Sequence, residues 1–139
     1  MRKFIILGLF CLLNANIIPN GNYFCKPIDV YFPDGTYKNV SNNDTYIVSI
    51  IDKELILTGK EGVLPLFYTH MRSYKSKGHI YKIKTYVTKD KTIAVSIVNE
   101  KFGSENNKPC YIFAFGVKGK EGILENKCCF INNRISIEK

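Results

Sequence analysis

Two adjacent cysteines near the end of the chain, Cys128 and Cys129, constrain its fold more than any other feature. Cys25 and Cys110 lie upstream, and a fifth cysteine, Cys11, sits inside the first apolar run. A bond between adjacent cysteines is strained and rare. In an oxidising compartment each member of the pair must therefore reach one of the two distant partners. Two pairings do this: Cys25–Cys128 with Cys110–Cys129, or Cys25–Cys129 with Cys110–Cys128. Either one closes a loop of about 100 residues, which contributes about 2–5 kcal/mol by loop entropy. If the adjacent pair lies in a strand, its side chains point to opposite faces, and the two bridges leave on opposite sides. Zinc ligation is the competing use of four cysteines. It needs a C-x-x-C pair or a nearby His, and neither is present, so no metal site is expected.

The oxidising compartment is read from the N-terminus. Met1-Arg2-Lys3 precedes the ten-residue apolar run Phe4–Leu13, and Asn14-Ala15-Asn16 follows. This is the form of a secretory signal peptide, with cleavage expected after Ala15. The run falls short of the ~20 residues that span a bilayer, and no later segment is long and apolar enough for an anchor. Residues 1–15 are thus expected to be a leader, and residues 16–139 a single secreted domain, periplasmic if the source is bacterial.

That domain reads as sheet-rich. Nine Tyr, nine Phe and many Ile, Val and Thr favour strands over helix. Thr45, Val48, Ser49 and Ile50 recur as Thr92, Val95, Ser96 and Ile97. Gly59-Lys60-Glu61-Gly62-Val63-Leu64 recurs in the same order as Gly119-Lys120-Glu121-Gly122-Ile123-Leu124. The expected copies run over 28–64 and 80–124. Neither can bury a core alone, so two antiparallel β meanders would pack together.

Residues 63–77 carry the only strong helix signal. Val63, Phe67, Met71 and Tyr74 are spaced by four, four and three, and Leu64 and Tyr68 widen that face. Pro65 suits a first turn, and Gly78 a C-terminal cap. The fold class predicted is therefore α+β: sheet-rich, disulfide-stapled, with one main helix at 63–77. Residues 17–27 read as an irregular lead-in. In the 79–88 strand, Tyr81, Ile83, Thr85 and Val87 are expected inward.

For function, the chain lacks every local catalytic motif sought: G-x-S-x-G, H-E-x-x-H, a phosphate-binding loop and paired carboxylates. Its two histidines, His70 and His79, leave room for a small secreted basic hydrolase of ribonuclease type, one acting as base and the other as acid. The better-supplied reading is a secreted non-enzymatic binding protein without a cofactor. Tyr74, Lys75, Lys77, Lys82, Lys84, Tyr86, Lys89 and Lys91 form an alternation of aromatic and cationic residues around the 79–88 strand. Such a surface suits an acidic glycan or an extracellular protein with an acidic patch. The net charge of +8 points the same way, although 17 of the 20 cations are Lys, and the scarcity of Arg disfavours nucleic acid. Asn39 and Asn43 lie in N-glycosylation acceptor patterns. The order of strands, one mid-chain helix and further strands resembles the B subunits of bacterial toxins. No residue motif is shared with them, and no site residue follows. A lipocalin-like barrel would carry Gly-x-Trp near its start, and the chain has no Trp.

Overall fold

The computed structural model describes residues 18–40 and 44–133. The expected leader 1–15 and the acceptor Asn43 lie outside the described residues. Ten strands follow in order: β1 (Gly21–Tyr31), β2 (Tyr37–Asn39), β3 (Tyr46–Ile51), β4 (Glu54–Gly59), β5 (Gly62–Ser76), β6 (His79–Val87), β7 (Ile93–Val98), β8 (Gly103–Glu105), β9 (Lys108–Val117) and β10 (Ile123–Asn132). Each long strand pairs antiparallel with the next long strand, and β10 returns to pair with β1. The result is a closed up-and-down barrel of eight strands, with β2 added to β1 and β8 to β9. Closure removes the sheet edges that an open meander would expose.

The predicted helix at 63–77 is not formed; β5 occupies that segment, and no helix occurs among the described residues. This also removes the element order on which the toxin-subunit resemblance rested. The four residues that defined the helical stripe are exposed: Val63 by 65%, and Phe67, Met71 and Tyr74 as well. Leu64, Leu66 and Tyr68 alternate inward instead and pack with the core. A bulge between Tyr68 and His70 then shifts the register by one residue. That shift breaks the period of two, so the segment mimics a period near 3.6. Pro65 is accommodated within β5 opposite Ile56. β1 likewise begins at Gly21, within the segment read as an irregular lead-in, and it passes Pro27 with a bulge.

The turns follow local chemistry. Gly59-Lys60-Glu61-Gly62 is the β4–β5 hairpin, and Gly62 has φ +132°. Lys77-Gly78 links β5 to β6 with both residues at positive φ, the two-residue geometry that matches strand twist. The repeated stretches fall in β3 and β7 and in the β4–β5 and β9–β10 turns. Val48 and Ile50 of β3, and Val95 and Ile97 of β7, are all buried in the core.

The interior is filled by side chains. Tyr23, Tyr86, Phe113, Leu55 and Leu66 are its largest fully buried members. Tyr23 sits at a junction of rings, with Tyr111, Phe113 and Phe130 centroids at 6.0, 5.6 and 5.4 Å. Its hydroxyl donates to the Pro19 carbonyl at 2.6 Å. Burial pushes the Tyr23 hydroxyl well above the ordinary tyrosine value near 10 and that of Tyr86 up to about 12. The folded chain thus holds these protons more tightly than the unfolded chain. Their contribution to stability is complete below about pH 10 and is lost as pH rises above it. Tyrosinate absorbance from these rings is expected to appear only together with loss of the circular dichroism of the fold. Full ionisation within a folded barrel would contradict the packing.

Both disulfides form across adjacent strands, and the pairing is Cys25–Cys128 with Cys110–Cys129. Cys25 stands opposite Cys128 in the β1–β10 ladder, and Cys129 opposite Cys110 in the β10–β9 ladder. The first bridge joins the interior face with Val48 and Phe113. The second lies on the other face, as alternation requires. The last strand is thereby tied to both of its neighbours, and the two bridges suit an oxidising compartment. No helix among the described residues is long and apolar enough to cross a membrane.

Candidate functional site

The barrel separates the residues that the sequence grouped around β6. Tyr86 is 1% exposed and belongs to the core, so it offers no surface. The inward positions of this strand are Lys84, Tyr86 and Thr88, rather than Tyr81, Ile83, Thr85 and Val87, although Thr85 is also buried. Lys84 lies half-buried, its ammonium 5.8 and 5.9 Å from the Tyr68 and Tyr86 ring centres. Desolvation lowers its pKa. Lys75 and Lys82 share one face of the β5–β6 hairpin with the exposed Met71 and Ile80, because Met71 pairs with Lys84 and Lys75 with Ile80. Tyr74 is on the opposite face, paired with Tyr81. Lys77 is in the hairpin turn, whereas Lys89 and Lys91 are at the other end of β6, roughly 30 Å away along the strand.

The hairpin itself projects. The β4 ladder reaches only Phe67 of β5, and the β7 ladder only Ile83 of β6. Beyond them, residues 70–82 form a two-stranded ribbon with most side chains exposed. Its two histidines do not converge. His70 pairs with Thr85 and bonds to Thr69 Oγ1, while His79 pairs with Ser76 and donates from Nε2 to Glu100 Oε1 at 2.7 Å. About six residues of strand, roughly 20 Å, separate them. An acid–base pair needs both groups within reach of one reacting centre.

A concavity of about 810 Å³ lies on the outside of the barrel. Ile93, Val95 and Ile97 of β7, and Phe113 and Phe115 of β9, point into the core. By alternation Ala94, Ser96, Ala114 and Gly116 form an outward floor of small side chains. One wall comes from the end of β1 and the start of β10, with Asp29, Tyr31, Ile123 and Glu125. The other is the projecting hairpin, with Arg72, Tyr74, Tyr81 and Ile83. Glu100, Lys101 and Phe102 close one end, and Tyr37 stacks on Tyr31 with ring centres 5.4 Å apart. The lining is mainly apolar and aromatic, with a few charged groups at the walls, which is the usual make-up of a binding cleft.

Asp29 and Glu125 stand directly opposite in the β1–β10 ladder. Asp29 also accepts a short hydrogen bond from Asn39 Nδ2, which ties the acceptor side chain of Asn39 to the groove wall. Burial, and then the Asp29 carboxylate, raise the Glu125 pKa; Glu125 in turn raises that of the Tyr31 hydroxyl. The folded state therefore binds the Glu125 proton more tightly than the unfolded state, and stability falls as pH rises through the ordinary glutamate range. Glu125→Gln is expected to raise the melting temperature at about pH 7 and to leave it unchanged at about pH 3. An equal shift at both pH values would contradict this reading.

A second, smaller concavity lies at one mouth of the barrel, where Tyr46, Leu57, Leu64 and Ile93 meet the Gly59–Gly62 hairpin. Among the described residues no three of His, Cys, Asp and Glu come together as a metal site would require. Comparison of the chain with protein-family models, with curated proteins and with solved structures finds no match. The groove was not legible in the sequence. Its floor residues are unremarkable until β7 and β9 are known to be neighbours, and Asp29 and Glu125 lie almost a chain length apart. The one local signal is the run of small residues at alternate positions, Ala94 with Ser96 and Ala114 with Gly116.

Proposed function

We propose that this chain is a secreted binding protein that holds an extracellular protein partner in the groove on the outside of its barrel. The observation that carries this reading is the groove itself. It is concave, mainly apolar, rimmed by exposed aromatic residues and floored by small ones, while the barrel interior is filled by the chain's own side chains. Exposed Tyr and Phe around an apolar depression are what protein interfaces use as anchors. A second reading, contact with an acidic glycan, is supported by Lys75 and Lys82, which share an exposed face of the projecting hairpin. The ribonuclease reading has less support, because His70 and His79 stand far apart on that hairpin.

Gly116 provides the test. A Cβ built there meets nothing within 4 Å, and its backbone does not require glycine. Gly116→Trp therefore fills the groove floor at little cost to the fold, expected within about 0.5 kcal/mol as for other open surface sites. On an array of extracellular ectodomains and sulfated glycans, the mature oxidised chain is expected to bind an ectodomain. Gly116→Trp is expected to lose about tenfold or more of that affinity. Equal binding by Gly116→Trp would contradict the groove reading. Heparin retention abolished by Lys75→Gln with Lys82→Gln, and unaffected by Gly116→Trp, would move the function to the glycan reading.

A further inference from the structure

We infer that the groove recognises a positively charged segment of its protein partner, with a lysine or arginine side chain seated against Asp29, Glu125 and the stacked Tyr31 and Tyr37. The inference rests on the proposed function and names the chemistry of the partner at the same groove.

Like charges placed directly opposite on paired strands repel, and Asp29 faces Glu125 in this way. The chain carries 20 Lys and Arg against 12 Asp and Glu, so cations are abundant. Yet the ion pairs among the described residues join Lys60 to Asp44, His79 to Glu100 and Lys127 to Glu105, and none reaches Asp29 or Glu125. The asparagine that bonds Asp29 is neutral. Among the described residues, two partly buried carboxylates are thus left without a cation in ion-pair contact, at the wall of the groove of a basic protein.

An incoming ammonium or guanidinium offsets both charges at once. It also finds aromatic faces beside them, since Tyr31 and Tyr37 are stacked and exposed. The small floor lets the partner's backbone approach the sheet closely. Arg72 on the facing wall disfavours a second cation there, so the charge pattern fixes the direction in which the segment crosses the groove. A sulfated glycan entering the same groove meets the two carboxylates with like charge, which favours the basic protein segment as occupant.

The test uses two fluorescein-labelled twelve-residue peptides on the same serine and valine background. Lysine stands at every third position in one and glutamate in the other. Binding to the full oxidised chain is followed by anisotropy at physiological salt and by amide shifts. The lysine peptide is expected to bind and to shift amides of residues 94–98 and 112–116, and the glutamate peptide is expected not to bind. The double variant Asp29→Asn with Glu125→Gln, which keeps the shapes and removes the charges, is expected to lose about tenfold or more of the affinity while its melting temperature stays at or above that of the parent chain. Undiminished binding by the double variant, binding of the glutamate peptide in the groove, or no binding of the lysine peptide overturns the inference. If Gly116→Trp still abolishes ectodomain binding in any of those cases, the groove reading stands and only its charge chemistry fails.

Discussion

The double variant Cys25→Ala with Cys128→Ala is expected to lose about 4–5 kcal/mol of stability, a large part of what a domain of this size possesses. The bridge spans 103 positions and ties the first strand of the barrel to the last. Without it, bringing β1 and β10 together requires ordering almost the whole chain, and the unfolded ensemble regains the entropy of that loop. The bridge between Cys110 and Cys129 spans only 19 positions and joins strands already connected by a short turn. Cys110→Ala with Cys129→Ala is therefore expected to lose less, about 3 kcal/mol. Urea unfolding of the two double variants measures the difference directly. Equal losses, or a larger loss at Cys110–Cys129, would show that β10 is held chiefly by β9 and that the closing seam is not where the constraint acts.

The second large effect belongs to Tyr23. Tyr23→Ala is expected to cost about 3–5 kcal/mol, the range for removing a large buried aromatic side chain. The ring is fully buried and touches three other rings, from β9 and β10. Its loss opens a void where the first strand, the last strand and β9 converge. Tyr23→Phe separates the ring from its hydroxyl. It keeps the aromatic contacts and loses only the hydrogen bond to the Pro19 carbonyl, with an expected cost of about 0.5–1.5 kcal/mol. A Tyr23→Phe variant as unstable as Tyr23→Ala would place the stabilisation in the hydroxyl rather than in the packing.

The four bridged cysteines also show how much of the fold the sequence carried. With Cys11 set aside in the expected leader, the four remaining cysteines leave two pairings open, and in both the C-terminal pair reaches out to opposite faces. In the structure Cys128 faces the core and Cys129 faces outward, each bonded to the strand on its own side. The repeated stretches with Val48 and Ile50 and with Val95 and Ile97 fall in β3 and β7, because β-branched runs are a local strand signal. β5 was not legible in this way. Its inward residues keep period two only from Leu64 to Tyr68, and the bulge at Thr69 then changes the parity, leaving a pattern that a helix fits better.

The same limit hid the site. In the 79–88 strand the face with Tyr81, Ile83, Thr85 and Val87 is the more apolar and so reads as inward, but the barrel turns Tyr86 inward, half-buries Lys84 over aromatic rings and leaves Tyr81 on the groove wall. The expected cationic surface was built on the opposite parity, which is why it disperses into a core tyrosine, a half-buried lysine and two separate ends of β6. The acidic wall needed pairing information that no window of sequence contains, since Asp29 meets Glu125 only when the barrel closes.

Closure through β10 is the claim on which both the fold and the groove depend, and its register is written in the disulfides. A slip of β10 by one residue would bring either Cys129 opposite Cys25 or Cys128 opposite Cys110, never both, and would turn every side chain of that strand to the other face. The decisive measurement is electron-transfer fragmentation of the non-reduced digest, which separates Cys128 from Cys129 along the backbone. The expected result is Cys25 linked to Cys128 and Cys110 linked to Cys129. Cys25 linked to Cys129, or a bond between Cys128 and Cys129, would contradict the barrel register and with it the groove.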